Sequence, residues 1–398
     1  MSSRQVAVAA WTVAAVAVVS LAVVLSRAGS FLDLEAYLAG AAAIADGKDP
    51  YAPQQGVLPF VYPPFAALLF LPLTWTPAAA PTFMSIASLA ALARISWLLA
   101  VRLDSGRGSA TVTKALLVFT ALALLEPSVE TLRLGQVSLI LLWLVAEDGI
   151  GDQRRTRGVA TGLAAAIKVV PMFFLVYYLV VGRYRTAVLG AITLTVLTAV
   201  TFLLLPEESF QYWFVDLMDA SRVGAAIDFV SNQSLLGVWA RTFGQDPSST
   251  LWWRLAMIGV AGLALVIARQ MWQRNARLLS FGIAGLAVLL VSPISWTHHW
   301  VFFYPLVVGL AGYWSVRWVR VPVIVAVVVL FSRVVWRAPH EGGGNLAMEW
   351  FWWPVANAYI LVGVMIAVTS VMVVWRVLTP ALAVAPADAG QGTTVSPR

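Results

Sequence analysis

The chain is 398 residues long, 60% of them hydrophobic and only 11% charged. Soluble domains carry about 25% charged residues, so this composition cannot coat a water-facing surface. There is no cysteine, which excludes disulfides, thiolate catalysis and thiolate-bound metals, and the net charge is +7.

Apolar runs long enough to cross about 30 Å of hydrocarbon recur from end to end. They predict an all-α polytopic membrane protein with about 12 transmembrane helices. The expected spans are 6–26, 82–101, 113–127, 136–148, 158–168, 170–182, 186–205, 250–268, 278–293, 300–315, 321–335 and 355–376. The first follows a short N-terminal stretch with one arginine and is read as an uncleaved signal-like helix. The apolar stretch 65–73 lies between prolines and is too short to span, so it is expected to be re-entrant or interfacial. One domain is expected over 1–378, followed by an Ala/Pro/Gly/Ser/Thr-rich tail at 379–398 whose composition predicts disorder.

Lys and Arg set the orientation through their bias toward cytoplasmic loops. With the N-terminus inside, Arg102, Lys114, Arg154, Arg155, Arg157, Arg183, Arg185, Arg269, Arg274, Arg277, Arg317, Arg320 and Arg376 share the inner side. Inner connections are then short and basic, whereas the outer segments 27–81, 206–249 and 336–354 are long. The basic balance is therefore a topology signal and does not point to nucleic acid. Arg94 is the one charge expected well inside a span.

Polar residues collect at the outer ends of the spans. The first cluster holds Asp33 and Glu35, where Ser30 and Asp33 fit a helix capping box and Asp33 equally suits a general base. Next comes Tyr62 before the paired Pro63 and Pro64, a rigid turn or the wall of a groove. Glu126, Glu130, Arg133, Gly135 and Gln136 form a third group with Lys168, which sits in an apolar run closed by Pro171. A lysine there snorkels to the headgroups or binds a phosphate. Arg222, Asn232 and Gln233 lie on a long outer loop, where Arg222 either pairs with Asp219 or grips a phosphate. The last group is Trp296, His298, His299 and Trp300. Adjacent histidines on a helix point about 100° apart and share a metal poorly, so no metal and no other cofactor are expected.

In these residues the chain resembles glycosyltransferase family 87. The segments that carry the resemblance are FLDLEAY at 31–37, LPFVYPPFAA at 58–67, Gly135-Gln136, KVVP at 168–171, DASRVG at 219–224, NQS at 232–234 and SPISWTHHW at 292–300. Each is weak alone; seven in order are specific. Glu35 stands where a familiar member has histidine, and Leu-Arg-Leu precedes Gly135 in place of an aromatic stretch. Those departures bear on the acceptor.

The resemblance implies a GT-C-type fold with interfacial helices on the outer face of the plasma membrane. It implies an inverting α-(1→2)-mannosyltransferase that uses polyprenyl-phosphate mannose. The acceptor would be a glycolipid of the phosphatidylinositol mannoside, lipomannan or lipoarabinomannan type. Carried over by motif, Asp33 is the catalytic base. Lys168, Arg222, His298 and His299 would hold the donor phosphate, and Glu35, Tyr62, Gln136, Asn232, Gln233 and Trp296 the acceptor groove. The donor's mannose is β-linked and the family product α-linked, so one base and one displacement suffice, without a closely spaced carboxylate pair. The competing readings are a twelve-span transporter or lipid flippase, and an arabinose transferase of the same architecture.

Overall fold

The structure is a computed structural model that describes Thr12 and residues 30–52, 56–103, 108–152, 154–218, 227–339 and 349–378. The expected first span, Arg222 and the C-terminal tail lie outside the described residues, apart from Thr12.

The described chain is helical, with no strand among the described residues. It opens with α1 (Leu32–Ala45), α2 (Pro64–Thr74) and the long α3 (Ala80–Leu103). Then come α4 (Ser109–Ala123), α5 (Glu126–Leu134), α6 (Ser138–Gly149), α7 (Val159–Ile167), α8 (Phe173–Val180) and α9 (Tyr184–Leu204). The second half contains α10 (Leu235–Phe243), α11 (Leu251–Gln273), α12 (Arg277–Val291), α13 (Tyr304–Ala311), α14 (Arg317–Phe331) and α15 (Ala358–Val373).

Among the described residues, four helices are long and apolar enough to cross a membrane: α3, α9, α11 and the one running from Ala358 to Leu378. A fifth is formed if α4 and α5, bent by 68°, count as one. Helices α9 and α11 leave apolar stripes uncovered, among them Val188, Ile192, Val196, Val200 and Leu255, Ile258, Val266. Such stripes suit contact with lipid chains and no aqueous surface.

Several expected spans are interrupted. The 113–127 run ends at Ala123 because Pro127 starts a new helix after a sharp bend. The runs at 158–168 and 170–182 become two short helices, separated by an extended Lys168 and a 3₁₀ turn through Pro171. The run at 300–315 begins as the 3₁₀ segment Thr297–Phe303 and becomes α-helical only before Pro305. Hydropathy registers apolar length, whereas these breaks come from proline and from a charge that leaves the helix axis. Prolines likewise frame the expected 65–73 segment, which is α2 with Pro64 in its first turn and Pro72 inside it.

Arg94, the cation expected inside a span, forms a forked pair with Glu147, Nε to Oε1 at 2.5 Å and a second nitrogen to Oε2 at 3.1 Å. The indole of Trp143 also donates to Glu147, at 2.9 Å. That arrangement offsets most of the cost of placing an arginine there.

Candidate active site

The site is built where α1, α5, the break after α7 and the 297–303 segment meet. Helix α1 does not begin as the capping box predicts. Phe31 occupies the cap position in a left-handed conformation (φ 46°), with no side-chain cap, and its N–H donates to the carbonyl of Arg133 at 3.0 Å. Ser30 instead faces the guanidinium of Arg133 at 3.5 Å. Asp33 is thus released from capping and stands in the first turn of α1, facing the end of α5.

Gly135 makes this approach work. It ends α5 with φ 68°, and a Cβ there would lie 2.7 Å from the Cβ of Leu34. Both the conformation and the space demand glycine. Gly135→Ala is expected to destabilise the protein by roughly 1–3 kcal/mol, the cost of a strained residue. It should also push α1, and Asp33 with it, out of place. A thermal melt run beside a turnover assay checks both effects.

Immediately after Gly135, Gln136 enters a buried polar knot. Its Oε1 accepts from the hydroxyl of Tyr37 at 2.7 Å and its Nε2 donates to the hydroxyl of Tyr62 at 3.1 Å. The two tyrosine oxygens are 3.3 Å apart, and Tyr37 stacks on Phe70 of α2 with ring centres 4.5 Å apart. The Gln136 amide also lies near enough to the Asp33 carboxylate to favour its ionised form. Burial pushes the Asp33 carboxyl above its ordinary value; the charges of Lys168 and Arg133 and the nearby Gln136 amide oppose the shift without cancelling it.

Lys168 is the centre of the other half. It leaves the end of α7 in an extended conformation, so its ammonium projects across the bundle and does not follow the helix. Its Nζ donates to Nε2 of His299 at 2.9 Å and sits 5.1 Å from the ring centre of Tyr62. An ammonium can only donate, so Nε2 of His299 accepts and the ring's own proton sits on Nδ1. Both histidines are held well below their ordinary value by burial first and by Lys168 next. They are therefore neutral, and His299 holds Lys168 in place without adding charge. His298 packs edge-on against His299, ring centres 4.5 Å apart, and its buried Nε2 has no hydrogen-bond partner.

The histidine segment is held tightly from behind. Gly285 of α12 lets the helix meet the carbonyl of Phe302, which would lie 2.3 Å from an added Cβ. Asn232 accepts from the N–H of Ser295 at 2.9 Å and donates to the carbonyls of Ile227 and Pro293. Gln233 donates to the carbonyls of Val230 and Ala356, both at 2.6 Å, and accepts from the N–H of Tyr359. The buried guanidinium of Arg241 fastens this loop to Asn357 at 2.7 Å. Asn232 and Gln233 thus brace the 293–299 turn, with their amides turned into the protein. Trp296 is half-buried against Phe229, and Glu35 is exposed on α1.

A cavity of about 490 Å³ opens beside this cluster. Lys168, His299, Tyr62, Ser292 and Asp216 supply its polar wall; Phe173, Val176, Val288, Val291 and Ile294 are among its apolar ones. Two of its lining residues, Met172 and Val176, are also exposed on the outer surface of the bundle. Asp33 is outside this lining and reaches the cavity's polar end through Lys168, whose charge acts on it. The arrangement suits a lipid with an acyl or prenyl chain in the apolar part and an anionic head against Lys168.

Tyr37, Arg133 and Tyr212, which lines the cavity, contribute to the site although the sequence singles them out less. Arg133 binds Glu130 at 2.9 Å, and Glu130 also pairs with Arg333. Glu126, also buried, accepts from Trp336 at 2.8 Å and Tyr359 at 2.7 Å. Both carboxylates are therefore engaged within the protein.

Residues 60–293 match the model of glycosyltransferase family 87. The chain belongs to this family. It is a glycosyltransferase. It is 32% identical over 400 residues to the polyprenol-phosphate-mannose-dependent alpha-(1-2)-phosphatidylinositol mannoside mannosyltransferase of Mycobacterium tuberculosis, covering 89% of each chain. The protein of that name from Mycolicibacterium smegmatis is 31% identical, over 82% of this chain and 76% of the relative. A Mycobacterium tuberculosis phosphatidylinositol pentamannoside mannosyltransferase is 33% identical over 71% of this chain and 66% of the relative. No solved structure matches.

Proposed function

We propose that this glycosyltransferase moves mannose from polyprenyl-phosphate mannose to a phosphatidylinositol mannoside, forming an α-(1→2) bond at the outer face of the membrane. The donor and acceptor classes are those in the names of the relatives. The observation that carries the reading is a carboxylate set within the field of a cation beside an apolar cavity: Asp33 behind Lys168, and Lys168, fixed by His299, in the cavity's polar wall.

In this reading Asp33 takes the proton of the acceptor hydroxyl. The hydroxyl oxygen attacks C1 of the mannose from the side opposite the phosphate. The bond from C1 to the phosphate oxygen breaks, and polyprenyl phosphate leaves with added negative charge, which Lys168 neutralises. One displacement turns the β-linked donor into an α-linked product. The fold we propose for the whole chain is GT-C-like with about 12 spans, the shorter helices crossing in pairs. Incubating the purified protein with labelled donor and a series of mannosylated phosphatidylinositols tests the reading. Label appears in a mannolipid one sugar larger, and only with some acceptors. Folded protein that transfers to none of them would refute it.

The reaction is proposed to need no divalent ion. Glu126 and Glu130 are taken up by internal partners, and among the described residues no group of three His, Asp or Glu side chains is placed to hold an ion. Turnover is expected to survive excess EDTA; a loss reversed by magnesium or manganese contradicts this.

The orientation is tested with cysteines introduced at exposed positions. Glu35→Cys and Ser249→Cys should react with an impermeant thiol reagent on intact spheroplasts, whereas Arg155→Cys should react only after permeabilisation. The reverse pattern would invert the topology.

A further inference from the structure

Helices α7 and α8 join two cavities. At one end lie Lys168 and the donor cavity; at the other, a second cavity of about 590 Å³ is lined by seven arginines and one carboxylate, that of Asp152. An excess of arginine on this side is what the positive-inside rule produces, but the rule scatters cations among loops and does not make them converge.

Here they converge on one point. Arg102 donates to the carbonyls of Ile150 and Gly151, both at 2.6 Å; Arg157 donates to Gly151 at 2.6 Å and Arg183 to Gly149 at 3.1 Å. Those carbonyls are the C-terminal end of α6, so part of the arrangement is helix capping. A helix end carries only about half a negative charge, far too little for this many guanidiniums. Arg183 lies 5.8 Å and Arg277 5.3 Å from the ring centre of Trp272, which holds both in place. Arg185 is tied to the carbonyl of Arg155 at 3.0 Å.

These contacts are to neutral carbonyls, and the cavity wall itself sets seven guanidiniums against one carboxylate. Arg157 shows the imbalance best: its Nε is buried with no hydrogen-bond partner. Burial, with the charges of Arg183 and Arg102, pushes its guanidinium down to about 10. Fixed, crowded, forked donors around an open cavity match the oxygens of a phosphate group.

We infer that this cavity is a second ligand site, distinct from the donor cavity, that binds a phosphate-bearing anion: the headgroup of an anionic phospholipid of the arginine-rich leaflet, or a soluble phosphate. The exposed Tyr184, at the start of α9 and in the cavity lining, gives an acyl chain a path away from the headgroup.

The test uses the full chain, purified and delipidated in a neutral detergent, with native mass spectrometry and thermal unfolding as readouts. The probes are dioctanoyl phosphatidic acid and inorganic phosphate. One phosphatidic acid should bind saturably and raise the unfolding temperature. Each cation near a membrane surface is worth roughly fivefold in binding an anionic lipid, so the Arg154→Gln/Arg185→Gln double variant should weaken binding by about 30-fold. Both positions are exposed, and the ligand-free melt of the variant confirms that it folds. Binding should persist in Arg320→Gln, which removes a cation outside the cavity, and in Lys168→Met, which disables the donor site. Saturation by phosphate alone with the same variant pattern identifies a soluble occupant; lipid binding with phosphate inert identifies a lipid. Absence of saturable binding by either probe, or equal weakening in Arg320→Gln, overturns the inference.

Discussion

Asp33→Asn is expected to lower sugar transfer by roughly 10²–10⁴-fold, the contribution of a well-placed general base. Asparagine keeps the shape and a polar side chain beside Gln136 but cannot accept a proton. Because Phe31 caps α1 without help from a side chain, Asp33 has no capping role to lose, so folding and donor binding should persist. Glu35→Gln is the control. It stands two residues further along the helix, about 200° round, and is exposed. The pH profile adds a signature. The Asp33 carboxyl lies above its ordinary value and must be ionised to act, so kcat/KM should fall as pH drops through a point above the usual carboxylate range. That acid limb should vanish in Asp33→Asn. A folded Asp33→Asn protein with near-normal transfer would remove Asp33 from the chemistry.

Lys168→Met carries the next largest effect, a loss of roughly 10²–10³-fold in kcat, as expected when a preorganised stabiliser of developing charge is removed. Methionine fills similar space at the break after α7, so the fold should hold. The same substitution predicts a second change, one that a structural lysine would not produce. Lys168 is one of the charges that lower the Asp33 carboxyl, so its removal should move the acid limb of the remaining activity to higher pH. His299→Gln should act in the same direction but more weakly. It unfastens Lys168, held at 2.9 Å, without removing the charge. Steady-state kinetics across pH on the three proteins check both effects; an unmoved limb in Lys168→Met would separate the two residues functionally.

Much of this site is legible in the sequence because the residues are expensive where they stand. Lys168 in an apolar run, Asp33 beside an interface and paired histidines between tryptophans all carry a desolvation cost that function or pairing must offset. Their convergence is less legible. Nothing in the spacing says that Gly135 turns the chain so that Gln136 meets Tyr37 and Tyr62, because that depends on a left-handed residue packed against Leu34. The same limit applies to Asn232 and Gln233. As polar residues on an outer loop they read as groove-facing, and only the fold shows their amides bonded to the backbone around Ser295 and Tyr359. The sequence reading puts the histidines among the groups that hold a phosphate; the fold adds that burial next to Lys168 leaves them neutral and that His299 bonds Lys168. In the bundle itself, apolar length marks α3, α9, α11 and α15 well. It merges or overextends the helices around Pro127, Lys168 and Pro305, where the chain must break to bring polar groups to one end.

The stereochemistry of a single transfer tests the central claim most directly. Purified protein in nanodiscs is given polyprenyl-phosphate mannose labelled in the sugar, together with a phosphatidylinositol mannoside, and the new linkage is read by nuclear magnetic resonance. A base at Asp33 and one displacement predict label in an α-(1→2) bond, inverted from the donor, and no product with Asp33→Asn. A β-linked product, or donor that crosses the membrane unchanged with no sugar transferred, would contradict it.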